Sequence, residues 1–266
     1  MGFYTNKLAW VTGASEGIGK AIAQAFVRAG AHVIIYARSP DKLAAALQEL
    51  QPLRVHSAQK VLAHSLDVVD TQWVATLVAV HIQEHGVPDF VVNCAGFARP
   101  GYLQDLTLDH YHAMMDLNYF GIVNVCKALV PSLVQAQRGY LVNTASIAGF
   151  IGLFGYTGYC ASKYAVVGFS EALRRELAPY HISVSVLCPP NTRTPGLRQE
   201  NQYKPPEVLA TEEKVKPVEP EFVARQLLKA LPTKKFMIIP TFDGALAYRL
   251  SRYAPALLHH FVKRRP

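Results

Sequence analysis

Short apolar runs alternate along this chain with longer stretches in which apolar residues recur at helical spacing. The runs at 7–12, 31–37, 61–66, 89–93, 139–145, 182–188 and 235–239 predict strands, and the segments at 17–29, 40–50, 70–85, 105–135, 157–179 and 219–230 predict helices. Each helical segment is long enough to serve as a crossover between parallel neighbours. The expected fold class is therefore α/β, a single-domain, doubly wound parallel sheet of about seven strands with helices on both faces. The stretch 189–220, rich in proline and mixed charges, breaks the rhythm. It is too long for an ordinary connection and is expected to be a lid over a substrate site, with a structureless surface loop as the plainer alternative. Further on, Leu246, Leu250, Tyr253, Leu257 and Phe261 recur at steps of four, three, four and four, which makes one apolar helical stripe that Pro255 should bend or divide. The chain thus reads as a body over 1–244 and a tail over 245–266.

Half of the 266 residues are hydrophobic, enough for one large core. The formal charge is +8, and it is unevenly placed: Arg249, Arg252, Lys263, Arg264 and Arg265 follow Asp243 with no acid after it. A basic, apolar-striped tail predicts attachment to an anionic membrane surface, with docking on its own domain or on a second subunit as the alternative. No recognisable motif supports nucleic-acid binding. Cys94, Cys126, Cys160 and Cys188 are widely spaced, without metal-ligand spacing, so no metal is expected and the thiols are read as reduced, in a cytoplasmic protein. No secretory leader is read at the N-terminus, and no uninterrupted apolar segment approaches the ~20 residues of a membrane span.

Candidate chemistry begins with Gly13-Ala14-Ser15-Glu16-Gly17-Ile18-Gly19, which follows the first strand and opens a helix. Glycines let the backbone turn tightly and approach a pyrophosphate, and the helix N-terminus offers free N–H groups, so a dinucleotide is expected here. At the end of the second strand, where a carboxylate would meet a ribose 2′-hydroxyl, the chain has Ala37 and then Arg38. A guanidinium suits a 2′-phosphate, which predicts NADPH as cofactor, with Ser15 adding a hydroxyl and Glu16 standing as an objection. Further along, Tyr159 and Lys163 share one helical face, and Ser146 follows the apolar run at 139–145. Lys163 is expected to lower the Tyr159 pKa from near ~10 and make it a proton donor to a developing alkoxide, which Ser146 would also hydrogen-bond. Phe154, Tyr156, Leu197 and Tyr203 are candidates for the substrate wall.

With both motifs in place, the chain resembles the short-chain dehydrogenase/reductase family over nearly its whole length. The resemblance implies a Rossmann-type fold. It assigns Gly13, Gly17 and Gly19, with Ser15 and Ile18 between them, to the cofactor loop, and Asp67 to the adenine. Asn93-Cys94-Ala95-Gly96 is similar to the family's NNAG turn, which adds Asn93, Ala95 and Gly96 to the cofactor set. Asn118 completes a catalytic tetrad with Ser146, Tyr159 and Lys163, the tyrosine and lysine also touching the cofactor. Pro189, Thr192 and Thr194 would lie beside the nicotinamide. Within the family, 152–157, 188–196 and the continuation Glu200-Asn201 with Lys204-Pro205 look like the 3-ketodihydrosphingosine reductases, which implies a long-chain lipid ketone as substrate and a place in sphingolipid synthesis. Reductases of a 3-oxoacyl thioester, steroid or retinoid would use the same tetrad. A non-catalytic, cofactor-sensing lipid-binding or scaffold protein is the reading of another class. Relatives also suggest a homodimer or homotetramer through the helices at 105–135 and 157–179, with Tyr111, Met115, Phe169 and Leu173 as apolar contacts.

Overall fold

A computed structural model describes residues 2–212 and 215–257. Seven strands form one parallel sheet: β1 (Leu8–Thr12), β2 (His32–Ala37), β3 (Val61–Ser65), β4 (Phe90–Asn93), β5 (Gly139–Thr144), β6 (Ile182–Leu187) and β7 (Met237–Ile238). Their spatial order is β3-β2-β1-β4-β5-β6-β7, so the direction of winding reverses between β1 and β4. A crevice opens at such a reversal, beyond the C-terminal strand ends. The register sets Thr12 beside Tyr36 on one side and Asn93 on the other, which brings the loops after β1, β2 and β4 together.

The inner strands β1, β2, β4, β5 and β6 are buried on both faces, which explains their continuous apolar runs. Side chains alternate: Ala9, Val11, Val33 and Ile35 point to one layer, and Trp10, Ile34 and Tyr36 to the other. The first layer holds α1 (Gly17–Arg28), α2 (Pro40–Leu50) and α9 (Pro220–Ala230), through Ile22, Phe26, Leu43, Leu50, Val223 and Leu227. The second holds α3 (Thr71–His85), α5 (Gly121–Ala136) and α6 (Thr157–Leu177), through Val74, Val125, Leu129 and Val166. All four cysteines are free thiols.

Several expectations are corrected. The helix expected over 105–135 starts at Leu108, because the Thr107 N-cap pairs with His110. It consists of α4 (Leu108–Met115), one π turn over Asp116–Phe120, and α5. By length and composition this continuous run, 108–136, would suffice to cross a membrane, contrary to the expectation of no such segment, yet it packs against α3 and α6. The last strand shrinks to two residues because it is an edge strand, paired only with Val186 and Leu187 of β6. The stretch 189–220 is not structureless: it carries α7 (Pro195–Glu200) and α8 (Pro206–Glu212). The boundary expected at 244/245 falls inside α10 (Phe242–Tyr253), whose Gly244 and Tyr248 pack on the body, the latter against Phe150 with ring centroids 5.2 Å apart. α10 ends at Tyr253, immediately before Ala254 and Pro255. Phe261 and Lys263-Arg264-Arg265 lie outside the described residues.

Candidate active site

The crevice at the β1/β4 reversal is a cleft of ≈ 1110 Å³ lined by Gly13, Ser15, Gly17, Ile18, Gly19, Arg38, Ala95, Gly96, Ser146, Tyr159, Lys163, Pro189, Thr192 and Thr194. A second pocket, ≈ 300 Å³ near His32 and Arg138, touches none of these residues.

At one end, Gly13 and Gly17 have φ of +63° and +58°, the left-handed region that glycine adopts freely. A Cβ on Gly13 would also come within 2.6 Å of the Ala95 backbone. The turn delivers the N-terminus of α1 to the cleft with no side chain capping it. Uncapped N–H groups beside a wall too close for any Cβ form a cradle that fits a pyrophosphate. Arg38 is exposed at the mouth of the cleft, beside Ser39 and Lys42. The objection raised by Glu16 weakens, because its carboxylate pairs with Lys42 at 2.8 Å. No sequence signal foretold this pair, which joins two segments twenty-six positions apart.

Two members of the expected cofactor set do not line the cleft. Asn93 is buried and donates to Asn143 at 2.9 Å; Asn143 donates to Ser170 at 3.0 Å, so the amide ties β4 to β5 and α6. Asp67 accepts from the Val69 N–H at 3.0 Å, and its neighbours Leu66 and Val68 face the cleft instead. Thr192 and Thr194 do line it, but Thr192 donates to the Pro190 carbonyl at 2.8 Å and Thr194 caps α7 by accepting from Leu197 N–H at 3.1 Å.

At the other end, Ser146 stands two residues past β5 and caps the turn Ile147–Gly149, its Oγ accepting from the Ala148 N–H at 3.2 Å. Tyr159 and Lys163 share one face of α6, with the ammonium 5.6 Å from the phenol ring centre. Lys163 Nζ donates to the Thr144 carbonyl at 3.0 Å. Asn118 sits in the π turn, fully buried, accepting from Phe97 N–H at 2.9 Å and donating to the Phe97 carbonyl and to Ser162 Oγ. Gly96 separates it from Lys163: a Cβ there would meet Asn118 Oδ1 at 2.8 Å and Lys163 Nζ at 3.3 Å.

The expected lowering of the Tyr159 pKa is reversed. Burial first, and the Glu200 carboxylate second, push the phenol well above its usual range, while a hydrogen bond with Ser146 opposes them. Burial also lowers Lys163 to about 8. The same desolvation acts on both groups and penalises whichever form is charged. A phenol held protonated is a ready donor, so the arrangement favours delivering a proton to oxygen over removing one.

Of the expected substrate wall, Tyr156, Leu197 and Tyr203 line the cleft; Phe154 does not, being half-exposed and edge-on to Tyr102, and its neighbour Leu153 lines it instead. Three residues that the sequence did not single out as site residues complete the wall: Arg99, stacked 3.4 Å from the Tyr203 ring, Glu200 and Glu212. The signal for the two glutamates would have been charge inside the Pro-rich stretch, which reads as solvated surface until α7 and α8 fold over the cleft. Of the helix contacts expected between subunits, Leu173 is buried within the chain and Phe169 packs edge-on against Tyr119. The Tyr111 hydroxyl meets Thr157 at 2.7 Å.

Comparison with known proteins gives a consistent picture. The family described as short chain dehydrogenase matches residues 7–205. A 3-ketodihydrosphingosine reductase of Bos taurus is 39% identical over 220 residues, 82% of this chain and 66% of that protein, so the match spans about two thirds of the relative. A protein of the same name from Dictyostelium discoideum is 35% identical over 248 residues, 87% of this chain and 74% of that one. Among solved structures, a short chain dehydrogenase/reductase from Burkholderia phymatum in complex with NAD superposes with a TM-score of 0.84 at 22% identity, covering 97% of this chain and 96% of the other.

Proposed function

Since this chain belongs to the short-chain dehydrogenase family, we propose that it is an NADPH-dependent reductase of a long-chain lipid ketone, with 3-ketodihydrosphingosine as substrate and dihydrosphingosine as product. The observation that carries this reading is a single cleft joining the glycine cradle to Ser146, Tyr159 and Lys163. The names of the relatives support the substrate. Arg38 and Lys42 at the cleft mouth, with Ala37 in place of a carboxylate, support the phosphorylated cofactor.

Gly13, Gly17, Gly19, Arg38 and Lys163 would hold NADPH in this cleft, and its chemistry there would be the supply of a hydride for the ketone carbon. The chain's own groups do the rest. Tyr159 donates its proton to the ketone oxygen, and Ser146 donates a hydrogen bond to the same oxygen as negative charge grows on it. Lys163, anchored on the Thr144 carbonyl, holds positive charge beside the phenol and would donate to the cofactor ribose. Asn118 fixes the 96–97 turn against the helix that carries Tyr159. Leu153, Leu197 and Tyr203 supply apolar wall for an alkyl chain.

The proposal extends to setting. Leu108, Phe120 and Tyr164, exposed on the helices around the tetrad, are apolar groups available for a homodimer or homotetramer. Exposed Phe242, Leu246, Tyr253 and Leu257, followed in sequence by Lys263-Arg264-Arg265, support peripheral attachment to an anionic membrane at the cytoplasmic face. NADPH oxidation measured with 3-ketodihydrosphingosine, an acetoacetyl thioester and a steroid ketone tests the substrate reading. Turnover of the first in clear preference is expected, and preference for the thioester or the steroid would replace it.

A further inference from the structure

The wall beside Tyr159 carries charge that ketone reduction by itself does not require. Tyr156 precedes Tyr159 by about one helical turn, with ring centroids 6.0 Å apart. Its hydroxyl donates to Glu200 Oε1 at 2.6 Å and lies 3.2 Å from Glu212 Oε1. Lys204, whose side chain is fully buried, stands 3.3 Å from Glu200 Oε1 and donates to Glu212 Oε2. Two carboxylates therefore share one ammonium. Tyr156, Glu200 and Glu212 all line the catalytic cleft. Arg99, another cation on this wall, lies over the Tyr203 ring and, among the described residues, pairs with neither glutamate.

Glu200 is the under-satisfied member. Its Oε1 takes both Tyr156 and Lys204, whereas its Oε2 accepts no hydrogen bond among the described residues. Burial, and less strongly the charge of Glu212, raise its pKa against the pull of Tyr156 and Lys204. A largely buried carboxylate with an open oxygen has room for a cationic donor, and such charge-assisted bonds are roughly twice as strong as neutral ones.

We propose that Glu200, backed by Glu212, is the counter-ion for a protonated amine on the carbon next to the ketone, so that the cleft selects α-amino ketones over matched ketones without the amine. The inference rests on the reductase reading above, and makes the cluster a device of specificity. With the ketone oxygen on Tyr159 and Ser146, a substituent on the neighbouring carbon lies beside the phenol, where the Tyr156–Glu200 pair stands. An acyl thioester brings no cation and would leave the open carboxylate oxygen uncompensated.

The test compares NADPH-dependent reduction of 3-ketodihydrosphingosine, its N-acetyl derivative and the chain-matched ketone without nitrogen. The parent should favour the free amine by at least ~10-fold in kcat/KM over both others. Glu200→Gln, which keeps the shape and can still accept from Tyr156, should shrink that ratio by at least ~10-fold, chiefly through KM. Because Glu200 also braces Lys204, thermal unfolding is recorded alongside, and should the variant not fold, the parent's own preference decides. A parent ratio within about twofold of unity overturns the counter-ion and leaves the reductase reading standing. An unchanged ratio in the variant, or equal loss on all three ketones, also overturns it. Failure of the parent to reduce any of the three, with turnover of an acetoacetyl thioester, removes the substrate reading itself.

Discussion

Lys163 is buried and Tyr159 partly buried at the end of the cleft, and their titration sets what each can do. The phenol stays protonated across the working range, so Tyr159→Phe, which removes the proton and little volume, should reduce turnover by on the order of 10²–10⁴. Cofactor titration should be almost unchanged in that variant, and near-normal turnover would remove Tyr159 from its role. Lys163 carries the opposite sign. In the folded chain its ammonium is lost above about 8, whereas unfolding restores the usual 10.5. Between those values the unfolded state binds more protons, so this residue's contribution to stability rises with pH. Reduction should fall through the same range as the charge disappears. Parallel pH profiles of kcat/KM and of denaturant unfolding check the pair of trends, and Lys163→Met should flatten the stability term. At the cleft mouth, Arg38→Ala should cut the NADPH-over-NADH ratio of kcat/KM by at least ~10-fold. Lys42→Ala should lower it further than loss of one cation alone, because Glu16 would then face the 2′-phosphate unpaired.

Elements, more than single side chains, decide which of these groups meet. A helix places Tyr159 and Lys163 together by its period, and that much is local. Asn118 is different: its helix changes from α to π over Asp116–Phe120, and the wider turn sets the buried amide across the backbone of Phe97. Asn118→Ala would remove the side-chain partner of the N–H and C=O of residue 97, at a cost of about 1 kcal/mol for each hydrogen bond lost. A lower Tm together with weaker cofactor binding is expected, since the freed turn carries Ala95 and Gly96 of the cleft wall. A variant with parental Tm would show that the π turn does not brace this loop. The helices α7 and α8 act on the same principle from the other side, because they bring Glu200, Tyr203 and Glu212 over an otherwise open crevice.

For the whole molecule, the proposed lipid substrate raises the physical question of how it reaches the cleft. α10 is anchored by Gly244 and Tyr248 while Phe242, Leu246 and Tyr253 remain exposed, so its inner and outer faces have separate work. Removing residues 255–266 spares that anchoring face. The truncated chain should keep its Tm and its turnover of a short soluble ketone but lose salt-sensitive binding to vesicles of anionic lipid, about 1 kcal/mol for each basic residue removed. Vesicle binding equal to the parent's would end the membrane proposal, and a fall in Tm would favour a tail docked on protein. Light scattering on the same samples tests the proposed homodimer or homotetramer, which a strict monomer would exclude.

The order of strands and helices was legible because the inner strands are buried on both faces and so appear as apolar runs, and β1 to β6 fall within one or two residues of the expected bounds. The glycine loop and the Tyr159–Lys163 pair were legible because backbone turns and helical periods act over a few residues. Contacts between distant segments left no such trace. Nothing local aims Asn93 at Asn143 and not at the cleft, pairs Glu16 with Lys42, or faces Leu153 inward and Phe154 outward. The sign of the Tyr159 shift was equally hidden, since the neighbouring Lys163 is visible in sequence while the burial and the Glu200 carboxylate that outweigh it are not. By itself the sequence determined the sheet, the cradle and the reacting pair, all of which follow from short-range geometry and burial of continuous apolar runs. Tertiary structure alone decided the electrostatics of the cleft, because charges, desolvation and hydrogen bonds there come from segments up to a hundred or more positions apart that only folding brings together.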